Sequence, residues 1–192
     1  MSMNAENSSP GPVFEAMAQR ASRSKVTDEA PSHEELAHLM SVLSSVPDHS
    51  RLRPWRIIEI RGDDREILGK ALAKARDTSV EKGIAKATRA PLVLAVVVSP
   101  RKTNKIPYWE QEAVASGVAH YLTLLLAEAG WGTMWRTGDA TRSKVMRKAH
   151  RLEEKEQLLG WIYVGGVPED KRRTKPRKPL DLQRHLTRLQ GD

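Results

Sequence analysis

The stretch "PLVLAVVVS", Pro91 to Ser99, limits this chain more than any other. Leu92 to Val98 is seven uncharged apolar residues in a row, four of them valine, closed off by Ala90-Pro91 and Ser99-Pro100. Such a run is short for a helix and far below the roughly eighteen residues a membrane span requires. Valine loses side-chain freedom in a helix and packs well on a pleated surface, and the lack of polar alternation leaves neither face for water. The expected element is a strand buried on both sides, in a soluble protein.

Apolar periodicity lays out the rest. "VFEAMAQRAS" from Val13 predicts a short helix, and Ser32 followed by Glu35 is a capping-box pattern opening a second, with Leu36, Leu39, Met40 and Leu43 on its inner face. "WRIIEIRG" from Trp55 reads as a strand with a Gly-Asp turn after it. Asp63 or Asp64 caps a helix to about Arg76, and "EKGIAKATRA" continues helical. Trp109 to about Ala129 predicts a long helix stopped by Gly130. Its small residues, Ala113, Ala115, Ser116, Gly117 and Ala119, allow close neighbours and mark it as the central, most buried helix. "WGTMWRTG" predicts a strand, "RSKVMRKAHRL" a helix, and "LLGWIYVGGVP" a last strand closed by two glycines and Pro168. This order mixes helices and strands without the strict alternation of a doubly wound sheet. The polar residues 1–12 read as a disordered leader, 13–168 as one domain, and 169–192 as a basic tail.

Composition narrows the chemistry. The 192-residue chain contains no cysteine, so disulfides, thiolate ligands and a cysteine nucleophile are all excluded. Its six histidines stand at no metal-ligand spacing, and neither a Rossmann fingerprint nor a P-loop is present. Gly165-Gly166 ends a strand with no helix opening on it, so it is not a phosphate-cradling loop. No basic-then-apolar leader follows Met1, which points to the cytoplasm. The net charge of +8 favours anionic partners, and its densest part is "KRRTKPRK", Lys171 to Lys178, either a solvated tail or a phosphate or nucleic-acid contact.

Three polar clusters could hold a ligand. "RASRSK", Arg20 to Lys25, alternates cations with Ser22 and Ser24 at a helix end; it suits a phosphate and equally suits a helix dipole. "PDHSRLRPW", Pro47 to Trp55, spends a histidine, two arginines and a tryptophan on a loop that a simple turn would fill with Gly or Asn. "WRTG" puts Arg136 after an apolar strand, where it either reaches a ligand or pairs with a carboxylate, the latter being the ordinary outcome.

Together these clusters resemble the nitroreductase family of FMN-dependent flavoproteins, in its short single-domain branch. The resemblance runs through Arg20-Ala21-Ser22, "APSHEEL", "VPDHSRLRPWRIIEI", "KIPYWEQEAVASG", "GWGTMWRTG" and "GWIYVGGVP", about residues 15 to 168. It implies an α+β fold with a central, mainly antiparallel sheet flanked by helices, a homodimer, and one FMN at each of two subunit interfaces. It carries the FMN phosphate and ribityl region onto Arg20, Ala21 and Ser22, further contacts onto Ser45 and His49, and the isoalloxazine side onto Trp135, Arg136 and Thr137. The helix end from Leu125 to Gly130 falls where relatives hold a nicotinamide nucleotide.

The implied activity is passage of electrons from NAD(P)H through the flavin N5 to a small-molecule acceptor such as a nitroaromatic or quinone, with no catalytic side chain needed. Ala21 and Ser45 depart from the family, since relatives often carry arginine at both positions. Losing one or both of two charge-assisted bonds, about 1.5–3 kcal/mol each, would weaken FMN binding roughly ten- to over ten-thousandfold. Arg23, Lys25 or the Lys171–Lys178 run, folding back on the phosphate edge or the dimer partner, would compensate. A flavin-storing protein with little turnover is the alternative. A basic nucleic-acid-binding protein ranks last, having no recognisable motif and few aromatic platforms.

Overall fold

A computed structural model describes residues 11–171 and 177–189 of the chain. Four strands form one antiparallel sheet: β1 (Trp55–Arg61), β2 (Leu92–Val98), β3 (Trp131–Arg136) and β4 (Gln157–Gly166), in the order β1-β2-β4-β3. The apolar run is β2, an inner strand with every residue buried. Its side chains divide by parity, as a pleated strand requires. Leu92, Leu94, Val96 and Val98 face one core, while Val93, Ala95 and Val97 face the other.

Helices cover both cores. On the first lie α2 (His33–Ser41) and α5 (Tyr108–Glu128), whose Ala115, Val118, Ala119, Leu122 and Leu126 meet the sheet. On the second lie α3 (Asp64–Ala75), α4 (Val80–Ala87) and α6 (Lys144–Ala149), contributing Leu68, Leu72, Ala87 and Met146. The remaining helices are α1 (Pro12–Gln19) and α7 (Leu182–His185). The fold is α+β. Among the described residues no helix is long and apolar enough to cross a membrane.

Local chemistry agrees with most of the sequence reading. The Ser32 hydroxyl accepts from the Glu35 N–H at 3.1 Å and caps α2, whereas Asp63, at the N-cap of α3, makes no capping bond. The expected leader boundary moves slightly, because α1 opens at Pro12, with proline in the first turn where a missing N–H costs nothing. Residues 1–10 and 172–176, which hold most of the leader and of the basic run, lie outside the described residues.

The expectation that α5 is the most buried helix needs correction. One face of it is sealed against the sheet, but the other carries Trp109 at 68% exposure and Tyr121 at 47%. Among the described residues no further layer covers that side. The loop before β1 is strained: Ser50, Arg51 and Arg53 all have positive φ, and the Asp48 carboxylate holds the Arg53 N–H at 2.6 Å. Arg51 and Arg53 themselves are exposed.

Candidate functional site

The site starts at the free edge of β3. Residues 20–29 form a strap across the end of that strand. Ser22 pairs with Thr133 in a parallel bridge, and the Arg23 N–H donates to the Thr133 carbonyl at 2.7 Å. Further on, the Thr27 N–H donates to the Gly166 carbonyl at 2.8 Å, and the Gly166 N–H donates back to the Glu29 carbonyl at 2.9 Å. A Cβ at Gly166 would fall 2.2 Å from Thr27 Oγ1, and one at Gly165 2.7 Å from Val26. The two glycines therefore let the strap touch the sheet. Arg20, Ala21 and Ser22 are thereby held beside the strand that ends in Trp135, Arg136 and Thr137.

The edge remains partly open. The Thr133 carbonyl points outward to the strap, so by the alternation of an antiparallel strand the backbone N–H and C=O of Trp135 also point away from β4. The Arg136 carbonyl points inward, 2.4 Å from where a Cβ on Gly160 would sit. No backbone group among the described residues meets the outward pair of Trp135. An unpaired edge of this kind is ready to hydrogen-bond a ligand.

The Trp135 ring packs edge-on against His120 of α5, with centroids 4.9 Å apart. Its Nε1 is buried without a partner among the described residues, as are the hydroxyls of Thr133 and Thr27. Each such group costs about 1–3 kcal/mol, a penalty concentrated here around one strand. Trp135 and Thr137 border a hollow of about 310 Å³ with Ser116, Gly138 and Arg142. Arg142 reaches across to Glu112 at 3.4 Å.

A larger hollow, about 1060 Å³, lies at the other end of β3, lined by Arg20, Ala21, Trp131 and Ala127 to Gly130 at the end of α5. Glu15, Glu29 and Glu128 also line it, yet Arg20 forms no ion pair with a described carboxylate. Burial, and after it the nearby Arg177 guanidinium, pushes the Arg20 pKa below its ordinary value. A cation that lines a hollow and feels a second cation nearby favours an anion beside it.

Ser45 and His49 lie elsewhere. Ser45 ends a 3₁₀ turn, Val42–Ser45, and is exposed; His49 sits in the strained loop with Nδ1 3.2 Å from Glu110 Oε2 at the start of α5. Both precede β1, at the opposite edge of the sheet from β3. No hydrogen bond, ion pair or ring contact among the described residues joins them to the other six. Arg136 also parts from its neighbour: its guanidinium carbon is 5.7 Å over the Tyr163 ring, on the second core, whereas Trp135 faces the first. The carboxylate pairing ordinarily expected of Arg136 is absent among the described residues.

Sequence reasoning missed His120, Ser116 and Tyr163. The opposite orientation of Arg136 was available from strand parity, since adjacent residues in β3 must face opposite sides. His120 carried no signal, being one polar residue on a helix whose facing strand was unknown.

Comparison with known proteins fits this geometry. The Escherichia coli K12 protein named "Putative NAD(P)H nitroreductase YdjA" is 30% identical over 159 residues, covering 80% of this chain and 87% of that protein. A Haemophilus influenzae protein named "Putative NAD(P)H nitroreductase" is 30% identical over 157 residues, covering 78% and 85%. In the solved structures, a nitroreductase-like family protein from Bacillus cereus superposes with a TM-score of 0.79 at 19% identity, over 96% of this chain and 100% of that one. The FMN and NADPH-dependent nitroreductase NfnB from sphigopyxis sp. strain HMH gives 0.71 at 16% identity, over 94% and 99%. The family model described as "Nitroreductase family" matches residues 17–166, from inside α1 to the last residue of β4. With its strap, its whole sheet and every helix between them inside that match, the chain belongs to the nitroreductase family, a family of oxidoreductases.

Proposed function

We propose that the protein is an FMN-dependent oxidoreductase that takes electrons from NAD(P)H and passes them to a small acceptor such as a nitroaromatic or quinone. The observation that carries this reading is the open edge of β3, where Trp135 offers an unpaired backbone N–H and C=O beside a strap that presents Arg20 and Ser22. Those groups suit a flavin. Arg20 has no carboxylate partner among the described residues and shares its surroundings with Arg177, which provides cations for a phosphate despite alanine at 21 and serine at 45. The polar edge at Trp135 suits the heteroatoms of an isoalloxazine ring.

When bound, FMN supplies hydride acceptance at N5 and onward electron transfer. The chain's own residues bind and orient. Arg20 neutralises phosphate, Ser22 holds the strap in register with β3, Trp135 and Thr137 line the ring site, and Ala127 to Gly130 leave room for a nicotinamide nucleotide. Ser45 and His49 reach cofactor from the partner subunit of a homodimer, which also covers the exposed Trp109 and Tyr121 of α5. His49 and Glu110 would then set one side of the site as a unit.

The test is direct. The purified protein is mixed with FMN, its visible flavin spectrum is recorded, and NAD(P)H is added without oxygen. Bleaching, followed by recovery when a quinone is added, is the expected outcome. Flavin bound but never bleached would favour storage, the reading motivated by Ala21 and Ser45. A protein that takes up no FMN would overturn both.

A further inference from the structure

We infer that the protein carries a second anion site, on the sheet face turned away from α5, where Arg76, Lys86, Arg89 and Arg136 converge over Tyr163 to bind a phosphate group. The four cations come from separate places: Arg76 caps the end of α3, Lys86 lies in the last turn of α4, Arg89 precedes β2, and Arg136 ends β3. They line one cavity of about 110 Å³, walled on its apolar side by Trp161. That volume equals roughly three or four waters and is near the size of a phosphate.

No carboxylate lines this cavity, and none of the four cations has an ion-pair partner among the described residues. The ordinary explanation for Arg76 and Lys86 is neutralisation of helix C-termini. Two helix ends carry only about half a negative charge each, so roughly three positive charges remain unbalanced. Tyr163 adds a second, independent observation. The residue is only 6% exposed, yet it lines the cavity beneath the arginines. Burial raises its pKa, against the pull of Arg136, Arg76 and Arg89, so the phenol stays a hydrogen-bond donor at neutral pH. A pocket of cations and one neutral donor matches an oxyanion with several acceptor oxygens.

This site is distinct from the strap cavity at Arg20, and it does not depend on the flavin reading. The test measures thermal stability of the full-length protein against inorganic phosphate at constant ionic strength, with and without FMN, using chloride as the control. Wild type and Arg20→Ala should both be stabilised by phosphate. The double variant Arg76→Gln/Arg89→Gln should need at least about tenfold more phosphate for the same shift. Its midpoint without phosphate reports whether it folds; should it not, Arg89→Gln alone, at an exposed position, and Tyr163→Phe, which keeps every charge, answer the same question. Ribose 5-phosphate identifies the source: a stronger response than to phosphate assigns a sugar phosphate or nucleotide, and an equal or weaker one assigns the free ion. The same response in chloride, or an unchanged response in the variants, overturns the proposal, whereas failure to bind FMN leaves a phosphate response sensitive to Arg76 and Arg89 intact.

Discussion

Two arginine clusters occupy the same face of the sheet and behave oppositely. At the β1 side, Arg56 makes two 2.6 Å bonds to Glu156, whose carboxylate also accepts the Glu153 N–H at 3.0 Å. Arg147 closes the same corner by donating to the carbonyls of Glu156, Glu153 and Glu154. At the β3 side, Arg76, Arg89 and Arg136 face a cavity and a tyrosine and meet no acid among the described residues. The first cluster is complete without any ligand and so belongs to the scaffold. The second is electrostatically unfinished, as is Arg20 across the strand, and unfinished charge is what a binding surface retains.

The largest effect should come from breaking the finished cluster. Glu156→Ala leaves the Arg56 guanidinium without its partner and should lower stability by about 3 kcal/mol, read by chemical denaturation. The same pair sets an acid limit. Its bonds to Arg56 hold the Glu156 pKa at about 2, against an ordinary 4.5, so its contribution is complete above about pH 4.5 and is lost as pH falls towards 2. Glu156→Gln should flatten stability across that window, and an unchanged slope would remove the carboxylate from the account.

Next in size is the unfinished Arg20. Arg20→Ala should weaken FMN binding by roughly ten- to a hundredfold in a fluorescence titration while leaving the folded midpoint without FMN almost unmoved. A large loss of stability instead would make Arg20 scaffold. A smaller effect is expected at Trp161, whose Nε1 donates to His150 Nε2 at 3.0 Å while His150 Nδ1 donates to the Met146 carbonyl at 2.9 Å. Trp161→Phe should cost about 1–2 kcal/mol by removing that bond. Burial lowers the His150 pKa, so the neutral ring supports the fold above its ordinary value of 6.5 and that support fades as pH falls below it. The smallest effect should be Arg89→Gln, within about 0.5 kcal/mol in phosphate-free buffer, because no protein partner is lost. Comparing this change with Glu156→Ala is the sharpest check on the contrast between the clusters.

Much of the fold was legible from residues alone, and for physical reasons. The valine-rich run could only be a doubly buried strand, the Ser32-Glu35 spacing could cap only a helix, and Gly130 stopped α5 where expected. These signals depend on near neighbours in the chain. The site was legible only in pieces. Arg20-Ala21-Ser22 and "WRTG" stood out as clusters, but nothing in their spacing said that a Ser22–Thr133 bridge would set them side by side. Gly165-Gly166 was recognised as a strand end, while its use as the seat of the strap needed the 2.2 Å approach of Thr27.

The sequence by itself determined the elements, the two apolar faces of β2 and the resemblance to a family, because periodicity, capping and motif order are local or serial properties. Only the tertiary structure decided which cations are paired. Arg56 and Glu156 lie a hundred residues apart and meet at 2.6 Å, while Arg76, Arg89 and Arg136 converge with no acid among them. Charge interactions are strong only over a few ångströms in a site shielded from water, and those distances are set by how the layers pack on the sheet.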